Sequence, residues 1–196
     1  MHTYYICSYG GCGSKMLMNA LQKYGNVYHI HSRNPPVKLE YIGNENGGNS
    51  YEEWFNGVRI PENEINDYTV IYIYRNPCNA ILSRFLIPEH LEHIQSNKKI
   101  TITDVINSNQ DLYNINEFYN NYIQNNNRNY KIYCLKYEDV FDKQDELSNL
   151  LNIGKLDIIK KETVKQDEEL YINKLTEIYK ELIDKMNRNE FITISK

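Results

Sequence analysis

The sequence is short of the features that mark secreted, membrane-spanning and nucleic-acid-binding chains. Its four cysteines, Cys7, Cys12, Cys78 and Cys134, are scattered, with no paired spacing that would hold a metal, and 196 residues can bury a core without disulfides. They read as reduced and structural. No run approaches the roughly 18 apolar residues that a membrane span requires. The first residues enter a strand-like run at once, with neither a basic n-region nor an apolar h-region. A soluble, cytoplasmic protein is expected. Positive charge is not in excess either, since 22 Lys and Arg stand against 26 Asp and Glu, a formal net charge of −4. That argues against non-specific nucleic-acid binding as the main activity while leaving room for a local basic pocket. Asn, Ile, Tyr and Lys are used heavily, as AT-rich coding bias would produce, so most asparagines receive no functional reading; residues 125–129 read as a surface loop.

What the chain does have is one organising stretch at its start. The apolar run Tyr4–Cys7 meets Ser8-Tyr9-Gly10-Gly11-Cys12-Gly13-Ser14-Lys15, and Met16 to Leu21 then reads as a helix. Strand, glycine loop and helix in this order form a phosphate cradle: glycines let the backbone turn and approach a ligand, and a helix N-terminus attracts an anion. The strict spacing of a nucleoside-triphosphate loop is not met, because Lys15 falls one residue late.

Further along, Val27 to His31 alternates like a second strand, placing His29 and His31 near its carboxyl end, where open α/β sheets bind ligands. Gly43 to Ser50 reads as a solvated connection, and Tyr51 to Phe55, with the single Trp54, as a short helical piece. Tyr68 to Tyr74 is the strongest strand, β-branched and aromatic as in a buried parallel sheet, and stops at Arg75-Asn76-Pro77. Pro77 starts a helix over Asn79 to Leu86 that carries Ser83. An Arg at a strand end and a hydroxyl two turns into the next helix can grip one phosphate. Glu89 and His93 share a face if helical, but no third ligand lies nearby, so they read as a solvated surface, not a metal site. Asp104 to Gln124 predicts one amphipathic helix, Tyr130 to Lys136 a strand, Leu147, Leu150 and Leu151 a short helix, and about 165–187 a long amphipathic helix that ends the fold. The alternation predicts a single α/β domain, 1–196, with a parallel sheet covered by helices on both faces.

Three of these pieces, in this order, resemble the sulfotransferases that use 3′-phosphoadenosine-5′-phosphosulfate (PAPS). They are the loop Tyr9 to Leu17; the strand end Val70 to Pro77 with Ser83; and Leu135-Lys136-Tyr137-Glu138-Asp139. The resemblance covers roughly residues 3 to 151. It implies a P-loop-like α/β fold, transfer of a sulfuryl group to an acceptor hydroxyl or amine, release of the 3′,5′-bisphosphate (PAP), and no metal. Residue by residue, it puts the donor loop on Gly10, Gly11, Cys12, Gly13, Ser14, Lys15 and Met16, the 3′-phosphate grip on Arg75 and Ser83, and an adenine contact on Tyr137. Two departures stand out. Gly11 occupies the place of the family's usual loop cation, and Ser14-Lys15 that of its Thr-Thr, so Lys15 is expected to supply the charge that neutralises the leaving group. The C-terminal Arg-Lys-Gly element is missing too, with Lys160-Lys161 a weak stand-in.

As general base the resemblance and the strand-end position favour His31, with His29 its rival and Glu40 a minor candidate. Two other functions compete. One is a P-loop small-molecule kinase with Mg²⁺ and a strand-end Asp such as Asp139. The other is a nucleotide-binding module that kept the cradle and lost catalysis. The acceptor is not legible in the sequence.

Overall fold

The computed structural model describes residues 2–35, 41–42, 58–59, 68–84, 99–125, 128, 130–160 and 169–196. Five strands form one sheet: β1 (Thr3–Cys7), β2 (Asn26–Ile30), β5 (Tyr68–Tyr74), β6 (Ile132–Lys136) and β7 (Ile192–Ser195), ordered β2-β1-β5-β6-β7. The first four run parallel and β7 returns antiparallel to β6. Two short strands, β3 (Tyr41–Ile42) and β4 (Val58–Arg59), pair separately and antiparallel. Around the sheet stand seven α-helices among the described residues: α1 (Ser14–Leu21), α2 (Pro77–Arg84), α3 (Ile102–Ser108), α4 (Ile115–Ile123), α5 (Gln144–Leu150), α6 (Glu169–Ile178) and α7 (Lys180–Asn187).

Alternation along each strand divides the core into two layers. Tyr5, Cys7, Val70, Tyr72, Tyr74, Ile132 and Cys134 face one side, where α2, α3, α4, α6 and α7 cover them. Tyr4, Ile6, Ile71, Ile73 and Leu135 face the other, against Leu17 and Leu21 of α1, Leu147 of α5, Leu156 and Phe191. Stacked rings fill the first layer, with Tyr72 lying 4.4 Å from Tyr122, centroid to centroid. The chain is thus an α/β structure with a mostly parallel sheet and helices on both faces.

Several boundaries depart from the sequence expectations. The single helix expected over Asp104 to Gln124 is two, because Asn109 and Asn114 both adopt φ of 54°. That left-handed conformation is one Asn tolerates better than most residues. The long C-terminal helix is likewise divided at Tyr179, and it does not end the fold: β7 follows it and makes the sheet mixed rather than wholly parallel. The helix after β5 does start at Pro77, where Asn76 caps it by accepting the Cys78 and Asn79 backbone N–H groups at 3.0 and 3.4 Å. Glu40, the 43–50 loop, Trp54 and the Glu89/His93 pair lie outside the described residues. No helix among those described is long and apolar enough to cross a membrane.

Candidate functional site

Because β1, β2 and β5 are parallel, the glycine loop, His31 and Arg75 all leave the sheet at the same edge. A cavity of about 730 Å³ involves that edge. Gly11, Gly13, Ser14, Lys15 and Met16 line it from the loop and the start of α1, Arg75 from the end of β5, and Ser83 and Arg84 from α2. His29 of β2 and Tyr137 of the turn after β6 join them, and Asn19, Ala20 and the stretch from Asp157 to Ile159 complete the described lining. Three cationic side chains thus stand against one carboxylate, so the cavity is locally basic in a chain whose net charge is −4.

Direct contacts join the three sequence segments that carried the resemblance. Arg75 Nη1 donates to the Gly11 carbonyl at 3.1 Å, and its guanidinium lies 4.6 Å from the centre of the Tyr137 ring. Gly13 precedes α1 with φ of 78°, and a Cβ there would fall 2.4 Å from a Tyr137 ring carbon, so only glycine admits that ring. The Asn76 N–H donates to Glu138 Oε1 at 2.8 Å, fixing the β5 end to the Tyr137 turn. With Gly13 in place α1 has neither a side-chain cap nor an acidic residue in its first turn, and its N-terminal residues face the cavity. An anion placed there meets helix N–H groups and the positive end of the dipole.

Behind the loop runs a chain of polar contacts. The Ser8 hydroxyl donates to Ser14 Oγ at 2.9 Å, and Ser14 Oγ lies 2.7 Å from His29 Nε2. His31 Nδ1 is 2.7 Å from the Ser8 carbonyl. A carbonyl only accepts, so Nδ1 carries the proton and Nε2 is the basic nitrogen of neutral His31. The rings of His29 and His31 meet at 4.4 Å, on the shared face that the strand spacing implied.

The expectation that His31 faces the crevice is not met. It lies one residue beyond β2, is 5% exposed, and is absent from the described cavity lining, whereas His29 is present there. Gly10 and Cys12 also sit outside the lining, under the loop's surface. Cys12 Sγ donates to the Gly10 carbonyl at 3.1 Å, and burial pushes its thiol up to about 12, opposed by the Arg75 charge. It is a structural thiol, not a nucleophile. Sequence reasoning missed Arg84, although it directly follows Ser83. It also missed Asp157, Ile158 and Ile159, which carry no motif. Asp139 stands 3.9 Å from Lys136 Nζ and is not among the lining residues. No family model, curated protein or solved structure matches the chain.

Proposed function

We propose that this chain transfers a sulfuryl group from PAPS to an acceptor hydroxyl or amine. One observation carries the reading: Arg75 and Ser83 line the same cavity as the glycine loop and the N-terminus of α1. A donor phosphorylated at both its 3′ and 5′ positions needs cations and hydrogen-bond donors for two separate anionic groups, and this lining offers both. In this reading Gly11 and Gly13 to Met16, from the loop and α1, hold the phosphosulfate end, with Gly10 and Cys12 shaping the loop beneath them, Arg75 and Ser83 hold the 3′-phosphate, and Tyr137 contacts the base. Bound donor supplies an activated sulfuryl group. The acceptor oxygen or nitrogen bonds to sulfur while the bond from sulfur to the phosphate oxygen breaks. That electron pair leaves with the 3′,5′-bisphosphate, and the acceptor's proton passes to a histidine. Since His29 lines the cavity, it takes this proton, and His31 supports its ring from behind.

A kinase would need Mg²⁺ and a carboxylate at a strand end. Asp139, the candidate for that role, is engaged with Lys136 away from the lining. Calorimetry with the 3′,5′-bisphosphate and with ATP, each with and without Mg²⁺, separates the readings. Metal-independent binding of the bisphosphate, followed by transfer of label from radiolabelled donor to a mixture of phenols, sugars and amines, is the expected result. Binding of ATP alone, with an absolute Mg²⁺ requirement, would overturn it in favour of the kinase; bisphosphate binding with no transfer would favour a silent nucleotide-binding module.

A further inference from the structure

The glycine loop from Ser8 to Gly13 contains no charged residue. Two arginines from other elements clasp it instead. Arg75 bonds to the Gly11 carbonyl from the end of β5. Arg84, in the last turn of α2, lies across Gly10: a Cβ on that glycine would be 2.7 Å from Arg84 Nε and 2.9 Å from Cδ. Gly10 has φ of 111°, so the backbone and the guanidinium both exclude a side chain there.

We propose that Arg84 is the loop's cation, supplied from α2, and that it binds the 5′-phosphate end of the donor; this rests on the nucleotide reading above. Arg84 lines the cavity beside Gly11, and its fork of N–H groups suits a phosphate or sulfate. Arg75 is given to the 3′-phosphate in the reading above, and Lys15, the third cation near the loop, is exposed on the first turn of α1, where water competes for its charge. Arg84 is half-buried, and its guanidinium acts through a less polar medium, where the attraction to an anion is stronger. Burial lowers its pKa, yet a guanidinium stays protonated in proteins. Gly10 is on this account a spacer, kept small so that the arginine can reach the loop.

The test is calorimetry with three probes: the 3′,5′-bisphosphate, adenosine 5′-monophosphate and adenosine 3′-monophosphate. Arg84→Gln is expected to weaken the first two by about tenfold to 150-fold, as loss of a charged hydrogen bond does, and to change the third by less than about twofold. Arg84→Lys retains part of the affinity. Gly10→Ala, which evicts the guanidinium, gives the same selective loss, and the double variant Gly10→Ala with Arg84→Gln binds no worse than the weaker single one. Structural damage would weaken all three probes alike, and that outcome overturns the proposal, as does unchanged binding by Arg84→Gln. Should that variant fail to fold, the Arg84→Lys profile decides on the same criterion. Wild-type protein that binds none of the probes overturns the nucleotide reading itself, a result distinct from wild-type binding with an indifferent Arg84.

Discussion

Arg75 has a structural role and a proposed binding role, and substituting it separates them. Its guanidinium donates to Gly11 at 3.1 Å and stacks on Tyr137 at 4.6 Å, so Arg75→Ala removes a charged hydrogen bond and a cation–π contact at a half-buried position. The first is worth about 1.5–3 kcal/mol where desolvated and the second about 0.5–1 kcal/mol, and discounting both for exposure gives a stability loss of about 2 kcal/mol. In a chain of this size that lowers Tm by about 4–8 °C without unfolding the protein at room temperature. The effect on binding is larger in ratio. If Arg75 grips the 3′-phosphate, the preference for the 3′,5′-bisphosphate over adenosine 5′-monophosphate falls by about tenfold to 150-fold. Arg75→Lys keeps the charge but cannot bond to Gly11, stack on Tyr137 and reach a phosphate together, so it retains a partial preference with most of the Tm loss. Calorimetry on both nucleotides with a thermal melt is the assay. A preference that survives in Arg75→Ala, or that wild type never shows, refutes the grip.

Lys15→Ala should weaken nucleotide binding and slow transfer, with a smaller effect than at Arg84 because Lys15 is exposed; wild-type binding and rate would remove it from the site. His29→Ala should abolish most transfer at saturating donor, by about a hundredfold or more, with donor affinity kept. His31→Ala should act more weakly, through the orientation of His29, so a larger loss at His31 would reverse the assignment. Burial pushes the Cys7 and Cys12 thiols up to about 12, so the native state holds protons that the unfolded chain releases above about pH 8.5. Their stabilisation is complete below that pH and falls as pH rises toward 12, by about 4 kcal/mol for the pair at pH 10. A urea midpoint equal at pH 7 and pH 10 would contradict this.

The parts of the fold set by local chemistry were readable from the sequence. Glycines bracketed the turn from β1 into α1, and the β-branched and aromatic run of β5 could only be a buried strand. Arg75 was placed by the abrupt end of that run. The breaks at Asn109 and Asn114 were not readable, because these asparagines look like the many others that composition explains, and only φ distinguishes them. β7 was missed since Ile192 to Ser195 is too short to show a period and is a strand only because β6 offers it an edge. That His29 rather than His31 lines the cavity was not readable either, since β2 ends one residue earlier than the alternation implied. Arg84 and the 157–159 stretch reach the cavity through tertiary packing, which leaves no local mark.

The loop itself brings almost no side-chain chemistry to the cavity, and that organises the site. Each of its glycines admits a group from a distant element. Gly10 admits Arg84, and Gly13 admits the Tyr137 ring. At Gly11 a Cβ would lie 2.4 Å from the Ala80 carbonyl, so the loop rests on the backbone of α2. The side chains that line the cavity therefore come from α1, β2, α2, the end of β5, the turn after β6 and the 157–159 stretch, and the loop serves as the surface on which they converge. A change that moves α2 moves Ser83, Arg84 and the floor under Gly11 together, so the groups proposed to bind the donor are coupled through one helix rather than set independently. The missing loop cation is then a matter of which element delivers the charge, and the spacing of Ser83 and Arg84 on α2 ties that delivery to the proposed 3′-phosphate grip.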